Sequence, residues 1–402
     1  MKNFKIYFCV LIASVVTTTS CKKISQTPIN LVEAPLEPIG TIDPNTGLKV
    51  FQNINQAGPS SDMELWTIYS SSSQVSTGFR SLPSGFDDKI KSFTIPVGHM
   101  AVFAENQDGT GESICYVAAV SDIKANIPAR LVDKVSYVRF VPFRNTPKKG
   151  ACQVNLNDVN ALKAPWFYNW GLGGSSTPAS QYVPMTWGRG SSNATNALTF
   201  INRRDIDHLL SFNEPDNASQ ANIPDINAAV TNYKFKLYTG YRLCSPAVEQ
   251  DNSTLATDWL PQFVAAANAQ KVRIDVIALH WYDWGNQNNN QSTPQATANA
   301  ILNRFKSYIT KLHTAYPNQD LWFTEYNCNP TRSDEIQMIF MKASAEYMNT
   351  LSYVERYAYF FPGKTATNRP TTGAPDWELT PMGKTWSDIA SPPSLSRNII
   401  PN

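Results

Sequence analysis

The chain runs to 402 residues with a formal net charge of +2 and 16% charged residues, which excludes the basic footprint of a nucleic-acid binder. Aromatic residues make up 11%, including 10 Trp and 17 Tyr, which points to stacking surfaces as well as a core. A chain this long exceeds what one hydrophobic core usually serves, so two domains are expected.

The first residues read "MKNFKIYFCVLIASVVTTTSC". Lys2 and Lys5 precede an almost wholly apolar run from 6 to 16, and small residues then lead to Cys21. That is an export signal over 1–21, too short to span a bilayer. A Cys directly after small residues resembles the lipidation site of a bacterial lipoprotein. The alternative is ordinary cleavage nearby and a soluble secreted protein. Several acyl chains, at about 0.8 kcal/mol per buried methylene, would make a stable anchor, and no later stretch approaches about 18 consecutive apolar residues. The expected location is the bacterial cell envelope, with membrane contact through the lipid alone. Outside the cytoplasm Cys115, Cys152, Cys244 and Cys328 can pair, but four cysteines allow three connectivities and the sequence does not choose among them. No CxxC or HExxH occurs and the four His are scattered, so spacing indicates no metal site.

Residues 22–48 hold "TPINLVEAPLEPIGTIDPNTG", rich in Pro and turn formers, and read as a linker. From 49 to 144 short alternating strands punctuated by Ser, Gly and Asp predict a small all-β domain. Within it "FDDKIKSFTIP" is echoed by "LVDKVSYVRFVP", with Asp88 and Asp133 45 residues apart. A repeat of this kind can mark duplicated Greek keys. With "FTIPVGHMAVFAENQDGTG" the segment resembles a βγ-crystallin-like domain. The resemblance implies a weak calcium site at Asp87, Asp88 and Asp133. Two departures weigh on it: Val132 stands where the second copy would carry its first acid, and Lys91 replaces a hydroxyl residue in the first copy. The alternative is a purely structural Greek key. "NTPKKGA", 145–151, reads as a second linker.

After 150 the rhythm changes. "APWFYNWG", "YVPMTWG", "HLLSFNEP", "RLCSPAV", "VIALHWYDWG", "LWFTEYNC" and "RYAYFFPG" read as short apolar strands. Helical stretches are predicted between them at 224–240, 256–270, 294–316 and 333–351. Alternation of this kind marks a parallel sheet covered on both faces, and seven or eight units over 150–390 suit a (β/α)₈ TIM barrel. The fold class is therefore α/β, a TIM barrel preceded by a small all-β Greek-key domain. An open doubly wound sheet is the alternative, but "GLGG" at 171–174 matches a dinucleotide loop in composition only.

A barrel builds its active site at the carboxyl ends of its strands. Those ends carry Tyr168, Trp170, Trp187, Asn213, Glu214, His280, Trp281, Tyr282, Trp284, Glu325, Tyr326 and Phe360. Either carboxylate alone reads as a strand-end acid in an ion pair. Two acids at such positions, ringed by aromatics, fit glycoside cleavage, which needs one proton donor and one ionised partner.

"WFYNWG", "YVPMTWG", "LLSFNEPDNASQANI", "HWYDW", "WFTEYNC", "ERYAYFF" and "LTPMGKTW" together resemble, in order, the catalytic domain of glycoside hydrolase family 128, β-1,3-glucanases built on a (β/α)₈ barrel. The resemblance implies Glu214 as acid/base and Glu325 as nucleophile of a retaining mechanism, with Asn213 on the sugar 2-hydroxyl. It implies Tyr168, Trp170, Trp187, His280, Trp281, Tyr282, Tyr326 and Phe360 around the substrate. For Trp281 the two lines disagree, since strict alternation places it with Asp283 under the helices, away from His280 and Tyr282. A cleft position requires the strand to end or bulge at His280. The polar insert 284–295 departs from the family pattern. The expected protein is a monomeric β-glucan hydrolase that needs no organic cofactor. The alternative is a non-catalytic carbohydrate-binding surface lipoprotein.

Overall fold

The computed structural model describes residues 47–71 and 79–401; the signal segment, Cys21 and the linker up to 46 lie outside these. Nine strands come first: β1 Leu48–Phe51, β2 Ser60–Met63, β3 Ile68–Ser70, β4 Phe79–Ser81, β5 Ser92–Ile95, β6 His99–Ala104, β7 Ser113–Ala118, β8 Ile123–Asn126 and β9 Tyr137–Pro142. They form two sheets, ordered β2-β1-β5-β8 and β4-β3-β9-β6-β7. β8 joins the sheet of β1 and β5, while β3 joins that of β6 and β9, so each half of the segment lends a strand to the other sheet. The repeat seen in the sequence has a backbone counterpart: Asp88 and Asp133 both adopt positive φ, 55° and 57°. Ser136 Oγ donates to Asp87 Oδ1 at 2.7 Å, linking the second copy to the first. At the other copy the Lys91 ammonium lies 3.3 Å from Asp133, a place a cation would otherwise contest. Among the described residues neither copy gathers three His, Cys, Asp or Glu side chains around one point.

Alternation along β6 and β9 explains how this part meets the rest. Ala101, Phe103, Val138 and Phe140 face the core between the two sheets. Their neighbours Met100, Val102, Tyr137 and Val141 belong to the main core instead. A strand buried on both faces must have a cover on each side. The second cover is the α/β part, and the described residues all fall in one compact unit.

Eight parallel strands follow: β10 Lys149–Cys152, β11 Trp166–Tyr168, β12 Gln181–Tyr182, β13 His208–Leu209, β14 Arg242–Leu243, β15 Val276–Tyr282, β16 Asp320–Asn327 and β17 Val354–Tyr359. Six pair in the order β12-β11-β10-β17-β16-β15, and β13 pairs with β14. Parallel bridges at Met185–Leu210, Cys244–Val276 and Val248–Leu279 carry the pairing between these groups. Helices alternate with the strands: α1 Leu156–Ala161, α2 Ala194–Ile201, α3 Ile226–Tyr233, α4 Trp259–Ala269, α5 Pro294–Ala315 and α6 Asp334–Asn349, with α7 Pro381–Asp388 after β17. Their starts follow local chemistry. Asn193, Asp225, Thr293, Ser333 and Thr380 each accept a first-turn N–H, and Pro294 and Pro381 sit where no donor is needed.

One strand was hidden in the sequence. The stretch 145–151 reads as a linker because two lysines and a glycine interrupt it, yet Lys149–Cys152 is a central strand. Lys149 Nζ donates to the carbonyls of Trp386, Ser387 and Ile389 at the end of α7, at 2.6, 3.0 and 2.5 Å. Lys148 Nζ donates to Leu351 O at 2.6 Å, just past α6. The orphan carbonyls and negative ends of two helices thus hold two buried ammonium groups. Burial still pushes both lysines down to about 8. Gly150 is required for a different reason, since a Cβ there would lie 2.1 Å from the Trp166 ring.

Cys115, Cys152, Cys244 and Cys328 are buried as free thiols. Among the described residues no helix is long and apolar enough to cross a membrane.

Candidate active site

Along β15 the side chains alternate cleanly. Val276 and Ala278 point into an apolar cluster with Trp166 and Trp322, while Ile277, Leu279 and Trp281 join the core shared with the helices. His280 and Tyr282 therefore face inward with Val276 and Ala278. Along β16 the same rule places Trp322 inward and Leu321 and Phe323 outward. Continued without interruption, it would turn Glu325 outward.

It is interrupted. Leu279 lies opposite Phe323, but His280 lies opposite Glu325, so Thr324 is an extra residue on β16. A bulge of this kind re-aims the side chains beyond it. Glu325 comes inward, and Tyr326 goes outward into the core, 5.3 Å from Phe305 and 5.2 Å from Tyr359 between ring centroids. Two sequence expectations are corrected here. Tyr326 is a core residue. Trp281 is 4% exposed and packs on Phe305 at 4.7 Å and Phe340 at 5.8 Å, so it too lies under the helices and not in the cleft. The irregularity that a cleft position for Trp281 requires is present, but on the neighbouring strand.

Glu214 reaches the same place by a different route. Asn213 N–H donates to Trp187 O at 2.9 Å and Glu214 N–H to Ala247 O at 2.7 Å, so pairing to both neighbours continues to the carboxylate. Glu214 then adopts φ 42°, and Trp170 φ 58°. Left-handed backbone costs a non-glycine residue about 1–2 kcal/mol, and before a proline the α regions are further disfavoured. Such strain persists where surrounding bonds over-determine it, commonly at functional sites.

These turns gather the polar groups tightly. A carboxylate oxygen of Glu214, one of Glu325 and a ring nitrogen of His280 all lie within 4.8 Å of one another. His280 Nδ1 is 2.8 Å from Glu214 Oε1, and its Nε2 faces Glu325 Oε1 at 3.5 Å. Burial lowers the imidazole's affinity for its proton, but Glu325 and Glu214 more than offset this and raise its pKa to about 9. Protonated, the ring presents an N–H to each carboxylate. Trp170 Nε1–H donates to Glu325 Oε1 at 2.7 Å, with the Tyr168 hydroxyl at 3.4 Å from the same oxygen. The Tyr282 hydroxyl donates to Glu325 Oε2. Phe360 lies against this group, its ring 6.1 Å from Trp170 and 5.9 Å from Tyr282. Asn213 Nδ2 donates to Gln220 Oε1 at 3.2 Å, while its Oδ1 is buried with no partner among the described residues. Trp187, 36% exposed, stands at the rim.

Glu214, His280 and Glu325 also have the donor types of a metal site, and they are the group of three that the described residues bring together. The surroundings favour proton chemistry. Indole and phenol hydrogens already point at both oxygens of Glu325, and a cation there would have to meet them.

Sequence reasoning passed over a second acidic layer. Asp216, two residues past Glu214, is pushed up to about 7 by burial, with Glu249 and Glu214 adding to the effect. It accepts from Asn252 Nδ2 at 2.8 Å. Burial and Glu214 likewise raise Glu249. The available signal was the second acid in "NEPDN".

Against known proteins, residues 146–386 match the family model described as the glycosyl hydrolase catalytic core. Among solved structures, a subgroup I endo-β-1,3-glucanase of glycoside hydrolase family 128 from Amycolatopsis mediterranei, in complex with laminaritriose, is 29% identical, with a TM-score of 0.50 over 60% of this chain and 98% of that one. A mutant of that enzyme in complex with laminaripentaose is 29% identical, with a TM-score of 0.50 over 61% of this chain and 100% of that one. A subgroup II endo-β-1,3-glucanase from Sorangium cellulosum is 23% identical, with a TM-score of 0.47 over 61% and 99%. No curated protein matches. The model match takes in all eight parallel strands and both carboxylates, and the chain belongs to the glycosyl hydrolase catalytic core family.

Proposed function

We propose that this glycoside hydrolase cleaves internal β-1,3 bonds of β-glucan by double displacement with retention. Glu325 is the nucleophile and Glu214 the acid/base. The observation that carries the reading is the spacing of the pair, with an oxygen of each within 4.8 Å of the other. Retaining enzymes hold their carboxyls about 5–5.5 Å apart, whereas inverting ones leave about 6.5–9.5 Å for a water. Their surroundings differ in the matching sense. Glu325 meets Trp170 and Tyr282, donors that hold a carboxylate for attack, with the Tyr168 hydroxyl nearby but bonded more closely to Thr324 O, while among the described residues the Glu214 carboxylate meets only the shared His280.

In the first step the proton held between His280 Nδ1 and Glu214 Oε1, 2.8 Å apart, passes through Glu214 to the glycosidic oxygen as Glu325 attacks the anomeric carbon and the leaving sugar departs. In the second, Glu214 takes a proton from water, which displaces Glu325 from the same carbon. Asn213 Oδ1, an acceptor without a protein partner, suits the 2-hydroxyl, whose hydrogen bond strengthens as positive charge develops on the ring. Trp187 suits the apolar face of a sugar. The chemistry needs no metal or organic cofactor. The laminarioligosaccharides bound to the Amycolatopsis enzyme support the β-1,3 assignment.

The same proposal includes closure of the eight strands as a (β/α)₈ barrel, supported by the three bridges between strand groups. It includes a βγ-crystallin-like Greek-key pair before it, supported by the strand exchange between sheets. It also includes a lipid anchor at Cys21, for which mass spectrometry should find a mature chain starting there with acyl chains attached. An unmodified N-terminus elsewhere would remove the anchor. The test of function is product release from linear β-1,3-, β-1,4- and mixed-linkage glucans, with the first anomer followed by NMR. Early β-anomer from the β-1,3 polymer is expected, and α-anomer, or no release from that polymer, overturns the reading.

A further inference from the structure

A groove of about 390 Å³ runs along the flank of the strands, between α5 and the segment after β14. Gln250, Asp251, Trp284, Asn303, Arg304 and Lys311 line it. Trp284 is 63% exposed. Its ring is backed by the Arg304 guanidinium, 5.2 Å from the ring centroid. Arg304 is itself fixed by paired bonds to the buried Asp283, at 2.8 and 2.9 Å. The indole is thus held from one side and open on the other, which is the form of a stacking platform.

The remaining polar groups describe what could lie on it. Gln250 Oε1 accepts from Tyr282 N–H at 2.8 Å, which orients the amide and leaves its Nε2 as a donor. The side chains of Asn303, Lys311 and Asp251 have no hydrogen-bond partner among the described residues. With Arg304 spent on Asp283, one positive and one negative group remain. That balance suits a neutral ligand rich in hydroxyls more than an anion or a cation. The groove also adjoins the catalytic end of β15, because the strand segment that bonds Gln250 carries the Tyr282 hydroxyl to Glu325.

The geometry points to a second, non-catalytic carbohydrate site in this groove, which takes a neutral gluco-oligosaccharide segment of the polymer with Trp284 as its platform. It rests on the β-glucan reading of the active site and adds a hold on the polymer outside the cleft. The test uses the full chain in a Glu325→Gln background, so that binding is read without turnover, with insoluble linear β-1,3-glucan as the probe. Adding Trp284→Ala should weaken binding about tenfold, within the range measured for loss of a stacking ring. Ser307→Trp, which fills the groove from α5, should do the same without altering the platform. In the active chain, Trp284→Ala should keep kcat/KM on a soluble five-unit β-1,3-oligosaccharide within about twofold. Unchanged polymer binding in both groove variants would overturn the site. So would an equal loss on the short substrate and the polymer, which would place Trp284 in the cleft. Failure of the unsubstituted chain to release any sugar counts against the catalytic reading alone, since the binding comparison still tests the groove.

Discussion

The two glutamates differ less in residue type than in what surrounds them, and their roles are separable by chemistry. Glu325→Ala should abolish turnover, and added azide should restore part of it as a glycosyl azide of inverted configuration, because the anion fits the vacated space. Glu214→Ala should retain activity on substrates with good leaving groups, which need little protonation. Identical responses of the two variants to azide and leaving group would contradict the assignment. His280 makes a second prediction. Its pKa rises from 6.5 in the unfolded chain to about 9 when folded, so its contribution is complete below about pH 6.5 and is lost as pH climbs through 9. A shift of that size corresponds to stabilisation on the order of 3 kcal/mol. Urea unfolding should therefore show wild type more stable than His280→Gln at pH 6, with the advantage gone at pH 10. An advantage equal at both pH values would mean the imidazolium is not its source.

The bulge on β16 is the element on which the site turns. It sets Glu325 inward and Tyr326 outward, and it leaves β15 regular, which is why Trp281 stays under α5 and α6. Trp281→Ala should then cost about 3–5 kcal/mol of stability, as for other large-to-small changes in a packed core. Turnover in the folded fraction should be preserved. A stable variant with weakened glucan turnover would return Trp281 to the cleft. Lys148 and Lys149, at the start of β10, show the same dependence on neighbours, since their ammonium groups are satisfied by the ends of α6 and α7.

The β1–β9 segment meets the parallel strands at their amino ends. Arg139 donates to Ile201 O at 3.1 Å and to the Tyr241 hydroxyl at 3.0 Å, and the Tyr137 hydroxyl donates to Tyr238 O at 3.1 Å. The final segment returns to the same region, with Ile399 bridging Val117. Glu214 and Glu325 lie at the opposite, carboxyl ends, so this segment does not line their site. A core continuous across the junction should melt as one unit. Calorimetry of the full chain is expected to show a single transition, and Val102→Asp, on the face toward the strands, should lower it as a whole. Two resolved transitions, with only the first moved by Val102→Asp, would show independent domains.

Much of this was legible in residue order. Alternation of apolar strands with capped helices announced a parallel α/β part, and α4, α5 and α6 fall within the stretches predicted for them. "NEP" and "TEY" marked the two carboxylates now found together, with Tyr168, Trp170, His280 and Tyr282 around them. Those signals are local, because periodicity, caps and strand ends are set by residues a few positions apart. Strand phase is not local. Whether Glu325 or Tyr326 faces inward depends on one extra residue relative to β15, a matter of hydrogen bonding between strands some 40 residues apart. The strand at Lys149 was concealed for the same reason: two charges can be buried there only because carbonyls more than 200 residues away receive them.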